Sequence, residues 1–233
     1  MALLPLKRQR ASDEVYEALR ESILARLFKP GERLQMTHIA EKLGVSMTPL
    51  RQAIQRLAAE GLIEIRPRSG TFITRLDARE VDETCEIRCA LECLAGEKAI
   101  ERIAEDELEE FRSILRKLEK PVVSAESRKR HEQANTRFHN HLIACSGNQR
   151  LVEMYNGLNA HLQIARLHAG DLYWADRLKA EQREHERIVT ALEARNPAEL
   201  RQALREHILR AKQSLLAALR EEGDARAERA LGM

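Results

Sequence analysis

The run LIEIRPRSGTFITRL, residues 62 to 76, constrains the fold of this chain more than any other stretch. Ile63 and Ile65 alternate with polar residues, Pro67, Arg68, Ser69 and Gly70 carry turn chemistry, and a second strand-like run follows, so the segment reads as a β-hairpin. Upstream the apolar residues recur at helical spacing. An amphipathic helix is expected from Ser12 to Leu27, with Val15, Leu19 and Ile23 on one stripe, Ser12 as N-cap, and Asp13 and Glu14 near its positive end. Lys29-Pro30-Gly31 stops it. A short helix fits Thr37 to Leu43 and Gly44 supplies a turn. Ser46 then caps a third helix, which tolerates Pro49 in its first turn and ends at Glu60 before Gly61. Three helices with a tight turn between the last two, then a hairpin, is the element order of a winged helix-turn-helix.

Beyond Leu76 only helical periodicity remains. Breaks near Ala104-Glu105, Pro121 to Ser124, Ser146-Gly147-Asn148, Ala169-Gly170 and Asn196-Pro197 mark out about six helices. These run from Asp77 to Ile103, Glu105 to Lys120, Ala125 to Cys145, Gln149 to His168, Asp171 to Arg195, and Pro197 to Glu222. The charged, alanine-rich tail after Gly223 is expected to fray. The expected fold is therefore mainly α, with a winged helix-turn-helix in residues 1–76 and an all-α bundle in residues 77–233. A chain of 233 residues is long enough for two cores. A composition of 43% hydrophobic, 33% charged and 3% aromatic residues argues against disorder and against sheet-rich folds.

No run of about 18 apolar residues exists, and MALLPLKRQR holds too short an apolar stretch for a signal peptide, so a cytoplasmic protein with no membrane partner is expected. There is no internal repeat and no Gly-rich phosphate loop. Cys85, Cys89 and Cys93 form a stripe at i, i+4 and i+8, which suits small core residues with reduced thiols better than a thiol sensor or a soft-metal site.

The net charge of +2 conceals an asymmetry: residues 1 to 76 hold 13 Lys and Arg against 8 Asp and Glu, a surplus of 5 that leaves the remainder acidic. The basic end is where a polyanion would bind. In a helix-turn-helix the start of the recognition helix meets base edges in the major groove. Ser46 and Thr48 can donate to phosphate or base there, Arg51 can contact guanine through two donors, and Gln52 is close enough to help. Arg68 at the hairpin tip can enter a minor groove or touch phosphate, and Gly70 allows close backbone approach. Taken singly, these arginines also fit a solvated basic face. GVSMTPLRQAIQRLAAEGLIEIRPRSGTFI resembles the GntR family of bacterial transcription regulators, with their gvSrtpvReAl.rLe.eGLv…p.rG.fV pattern, across the whole first domain. Met47 departs from it, standing where relatives commonly carry arginine; the usual guanine contact is out of its reach, which implies a different operator.

In the helical part, Asn135 and His139 lie four apart, the arrangement by which one helix offers two ligands to one metal. His185 shares a stripe with Leu178, Val189 and Leu192, and His207 one with Leu200, Leu204 and Ala211, so all three imidazoles point inward. A buried imidazole needs a partner, which leaves a metal or a hydrogen-bonded network. His141 lies about 200° round the helix from His139 and cannot share its site. His161 and His168 follow no pattern. Arg88 is four residues from Glu92 and fits an intrahelical ion pair. No Asp or Glu stands out as a general base on the histidine faces.

IRCALECLAGEKAI, NTRFHNHLIACSGN and HERIVTALEARNPAELRQALREHI resemble, in turn, the iR..lE..Aa, D..FH..l…sgN and H..i..Al…d…a…..H patterns of the FCD effector domain, which marks the FadR subfamily. Six helices point to its shorter, VanR-like group. Many FCD domains bind a divalent metal with an Asp and three His. The resemblance thus implies a divalent transition metal, zinc or a neighbour, on Asn135, His139, His185 and His207, with Asn135 a neutral and weaker oxygen ligand than the usual carboxylate. Open coordination positions would receive a small organic acid, and Arg88 would anchor its second charged group by a bidentate fork. Asn148, at the sgN position, fits a cap of the following helix. The function expected is a homodimeric, effector-responsive regulator, most simply a repressor, binding a palindromic double-stranded DNA operator. The alternatives are a metal-dependent hydrolytic enzyme and an architectural DNA-binding dimer.

Overall fold

The computed structural model describes residues 11–25, 27–75, 77–168 and 174–230, and side-chain surroundings within these except at 159–168, 174–177 and 221–230. The chain divides into two compact units, Met1–Leu76 and Asp77–Met233.

The first unit holds α1 (Ala11–Leu24), α2 (Met36–Leu43), α3 (Met47–Ala59), β1 (Ile63–Arg66) and β2 (Gly70–Ile73). Ser12 does not cap α1. It is buried within the helix, because it lies on the same face as Tyr16, Leu19 and Ile23. That stripe packs against Leu50, Ala53, Ile54 and Leu57 of α3, all buried. Between α2 and α3 the chain reverses through Gly44 at φ 64°, ψ 31°, and Val45 N–H closes onto Ala40 O at 3.0 Å. Left-handed backbone costs little only at glycine, so this residue fixes the helix-turn-helix. Ser46 stands at the N-cap of α3 in extended backbone, but its hydroxyl makes no capping bond.

The hairpin pairs Ile63 with Ile73 and Arg66 with Gly70 in antiparallel register. Alternation would bury Ile65 alongside Ile63, yet Ile65 is 48% exposed and only Ile63 packs inward. A sheet whose strands are four residues long runs past the helical core after one turn of the pleat. A third segment lies along β2: Gly31 N–H donates to Ile73 O at 3.0 Å, Ile73 N–H to Glu32 O at 2.9 Å, and Leu34 N–H to Thr71 O at 2.8 Å.

In the second unit the described helices are α4 (Ala78–Arg102), α5 (Glu105–Leu118), α6 (Ala125–Cys145), α7 (Gln149–His168), α8 (Trp174–Glu193) and α9 (Pro197–Ala230). Their boundaries follow the breaks in apolar periodicity. The break at Ala169-Gly170 and the start expected at Asp171 lie outside the described residues. The tail is a correction: α9 continues through Gly223 to Ala230. Alanine, glutamate and arginine are strong helix formers, and one glycine costs less than their sum returns.

Helix α4 packs against α6, α7 and α9, α5 against α6 and α8, and α8 against α9. Asp77 and Glu80 start α4 with a reciprocal capping box, and Asn148 Oδ1 accepts Leu151 N–H at 3.3 Å to start α7. Phe111, Phe138, Leu142, Ile188, Leu192, Leu200 and Leu204 form the apolar centre, with the Phe111 and Phe138 rings edge to face at 5.2 Å. Arg195, at φ 48° in the α8–α9 turn, donates to Ile100 O at 2.6 Å and Ile103 O at 2.8 Å, satisfying the last carbonyls of α4. Among the described residues no helix is long and apolar enough to cross a membrane.

Candidate metal centre and DNA-reading face

Three helices bring three imidazoles together. His139 of α6, His185 of α8 and His207 of α9 are each 1% exposed or less, and a nitrogen of each lies within 4.8 Å of the others. The Nε2 atom of His139 is 3.3 Å from that of His207 and 3.5 Å from that of His185. Two nitrogens bound 2.0–2.1 Å from a tetrahedral ion stand about 3.3 Å apart, so the separations fit a common divalent ion. Nitrogen as the donor atom suits zinc and its neighbours.

The far sides of the rings favour that arrangement. His139 Nδ1 is 2.9 Å from Glu92 Oε2 and His207 Nδ1 is 2.8 Å from Glu184 Oε2. With Nδ1–H donating to each carboxylate, the Nε2 lone pairs are left facing one another, which is the tautomer a metal ligand needs. Arg88 Nη2 lies 2.9 Å from His139 Nε2 and donates to its lone pair, a bond that an ion on this nitrogen would displace. Burial favours the neutral ring at His185 and His207 and lowers both pKa values well below the usual histidine range. The neighbouring His207 adds to this at His185, and His139 and Arg88 add to it at His207.

Beneath the imidazoles lies a buried ion pair. Arg88 Nε donates to Glu92 Oε1 at 2.6 Å, and Tyr155 Oη of α7 donates to the same oxygen at 2.7 Å. Burial would raise the Glu92 carboxyl, but Arg88 and His139 outweigh it and hold its pKa well below the ordinary value. Arg88 thus makes the intrahelical pair its spacing allows, and its guanidinium also reaches the histidines. Glu184 is held by Arg210 as well as by His207.

Helical spacing singles out no acid on the histidine faces, yet the structure puts Glu92, Glu181 and Glu184 there. Glu181 of α8 is 4% exposed, lies one turn before His185, and has Oε1 3.7 Å from Nε2 of the buried His131. Its spacing from His185 equals that of Asn135 from His139, a signal legible in the letters EQREH. Asn135 is buried on α6 one turn before His139. His141 faces elsewhere: its Nε2 lies 2.9 Å from Glu107 O and its ring packs on Phe111. The side chains of His161 and His168 lie outside those described. Cys85 is buried and Cys89 and Cys93 half-buried, and burial together with neighbouring Cys89 pushes the Cys93 thiol up to about 12. The Cys93 thiol therefore stays protonated and unreactive.

In the other unit, Thr48, Arg51 and Gln52 lie on one exposed face of α3, opposite its buried apolar face, and Ser46 is exposed at its N-cap. The basic residues divide into two groups. Arg56 is committed to Asp13 at 2.5 Å and to the face of Tyr16 at 4.0 Å, and Arg66 to Glu64 at 2.8 Å and to the ring of Phe72. Arg51 and Arg68 are exposed, and Arg68 sits at the hairpin tip with φ 62°. Gly70, at φ 126°, is approached from within the chain: a Cβ there would lie 2.9 Å from Nε of Arg33. Arg33 joins the wing through a bridge to Phe72, a placement that pairing alone reveals.

A helix-turn-helix with a wing, followed in the chain by a helical unit with a buried donor cluster, defines a DNA-binding transcriptional regulator. Residues 11–73 match the bacterial regulatory proteins of the gntR family and residues 83–210 match the FCD domain, and the chain belongs to this family. It is 32% identical over 198 residues to YdhC of Bacillus subtilis, an uncharacterized HTH-type transcriptional regulator, covering 84% of this chain and 85% of that one. The HTH-type transcriptional repressor RspR of Escherichia coli is 24% identical over 216 residues, 93% of each chain. Among solved structures, E. coli McbR/YncC superposes with a TM-score of 0.75 at 24% identity, covering 89% of this chain and 98% of that one. These relatives are regulators, not enzymes, which removes the hydrolytic alternative.

Proposed function

We propose that the chain is a homodimeric, ligand-responsive repressor working in the cytoplasm on chromosomal DNA, with the six-helix effector domain of the VanR-like group in the FadR subfamily. Its α3 helix reads half-sites of a palindrome through Ser46, Thr48, Arg51 and Gln52, with Arg68 and Gly70 presenting the wing. Its helical domain holds a divalent transition metal on His139, His185 and His207, beside Asn135, and a small organic acid completes the coordination. Arg88 supplies positive charge next to that anion. The convergence of the Nε2 atoms, each 3.5 Å or less from that of His139, carries this reading.

When bound, the ion supplies a Lewis-acidic centre for a carboxylate. The residues of the chain do the rest: Glu92 and Glu184 fix the ring orientations, and Phe138, Leu192 and Leu204 exclude water. An effector weakens operator binding only by its differential affinity for the two arrangements of the dimer. The test is a gel-shift titration against the DNA upstream of the protein's own gene, with a panel of small carboxylates, with and without Zn2+. Release of the DNA by a carboxylate only when metal is present is the expected result. DNA affinity indifferent to the whole panel would point instead to an architectural dimer.

A further inference from the structure

Helix α4 is apolar on two sides. Cys85, Ala95 and Ala99 bury into the helical unit together with Arg88 and Glu92. The opposite side carries Ile87, 50% exposed, Leu94, 40% exposed, the exposed Ala90, and Leu91, which is half-buried next to α7. Their spacing of i, i+3, i+4 and i+7 is that of a helix face that packs on another helix. Glu83 and Lys98 extend the same stripe by one turn at either end, and both are exposed. A helix with apolar side chains on both sides calls for cover on both, and among the described residues nothing covers the second.

The order of the side chains identifies the cover. Glu83, Ile87, Ala90, Leu91, Leu94 and Lys98 have the same spacing read from either end, with opposite charges at the two ends. A two-fold axis midway between Ala90 and Leu91 lays the helix on an antiparallel copy of itself. It brings Ile87 to Leu94, Ala90 to Leu91 and Glu83 to Lys98, each contact made twice. A parallel copy would instead set Glu83 on Glu83 and Lys98 on Lys98. The small Ala90 at the centre lets the two backbones approach. In the single chain Glu83 pairs with Arg79 at 2.8 Å, but both side chains are more than half exposed, and such surface pairs contribute little. Lys98 has no ion pair among the described residues. Glu80, one turn beyond Glu83, is turned back into the capping box with Asp77, and the crossing helices diverge there.

Resting on the dimer reading above, we infer that this stripe of α4 is the surface on which the helical unit docks a second copy of the chain, antiparallel and two-fold, with Ile87 and Leu94 as apolar anchors and Glu83 and Lys98 fixing the register. The stripe lies away from the imidazoles, so the interface and the candidate metal centre occupy different sides of one helix.

The test is the dissociation constant of the full chain by sedimentation at micromolar concentrations, with thermal melts of each variant as the check on folding. Wild type sediments as a dimer. Ile87→Asp and Leu94→Asp, at exposed positions, are expected to weaken the dimer by about a hundredfold or more, because each change enters the interface twice. Glu83→Lys and Lys98→Glu each weaken it by about tenfold, and the two combined in one chain restore it to within about threefold of wild type. A misfolded or merely destabilised variant would show no such rescue. An Ile87→Asp chain that dimerises as wild type does, single charge reversals without effect, or a double reversal weaker than either single one overturns the inference and leaves the homodimer standing on another surface. A wild-type chain that is monomeric both free and on operator DNA overturns the dimer reading and the inference together.

Discussion

His185 is fully buried, and its Nδ1 has no hydrogen-bond partner among the described residues. Its pKa is lowered by burial and by His207, so it is neutral in the folded chain and protonated more readily in the unfolded one. The sign follows: stability is fully present above the unfolded value of about 6.5 and falls as pH drops below it, by up to about 1.4 kcal/mol per pH unit per proton taken up on unfolding. Thermal melts of chelator-treated protein between pH 7.5 and 5 should show this slope, and His185→Gln should flatten it. Arg88 invites a second measurement. Arg88→Ala leaves Glu92 buried without its cation and should cost about 3–5 kcal/mol in denaturant unfolding, whereas Arg88→Met with Glu92→Leu should recover much of the loss. The three histidines were legible because each shares an apolar stripe. Glu92, Glu181 and Glu184 are not singled out, although the Glu181–His185 spacing stands in the letters, because a glutamate near a histidine or arginine reads equally well as a solvated surface pair. Only the packing of α4, α6, α8 and α9 turns them inward.

Among the elements, α4 and α9 come into close contact at Gly96. A Cβ there would lie 3.0 Å from both Leu200 Cδ2 and Leu204 Cδ1, and both leucines are themselves buried in the core. Gly96→Val should therefore overpack this contact and lower stability by about 1–3 kcal/mol, measured by denaturant unfolding, despite valine's better helix propensity. Apart from the end of α9, the described helix boundaries could be read from the sequence to within a few residues because glycine, proline and serine punctuate them. The misreadings have local causes. Ser12 looked like a cap because its neighbours are acidic, but its position on the α1 stripe draws it into the core. Ile65 looked buried by alternation, but its strand outruns the helices beneath it. The bridge from Arg33 to Phe72 left no mark in the sequence, since single-residue pairing has no period.

For the whole molecule, the proposed function divides in two: the basic surplus of the first 76 residues would set how the protein finds DNA, and α3 what it reads. Arg51→Ala should weaken binding to the specific operator by about 1–3 kcal/mol, roughly 10- to 150-fold, while nonspecific binding changes little. Arg68→Ala should reduce affinity and flatten its dependence on salt. Competition gel shifts at two salt concentrations separate these effects.

The latch formed by Arg195 on the carbonyls of Ile100 and Ile103 has a mechanical consequence. His185 lies ten residues before Arg195 and His207 twelve after it, so both imidazoles ride on lever arms pivoted at the same pinned turn. With arms about 15 and 18 Å long, opening the angle between α8 and α9 by about 4° separates the two imidazoles by about 1 Å. The distance between these two imidazoles is thus a vernier for the angle of the hairpin, and an ion held between them as proposed would turn a sub-ångström preference into a set tilt of two long helices.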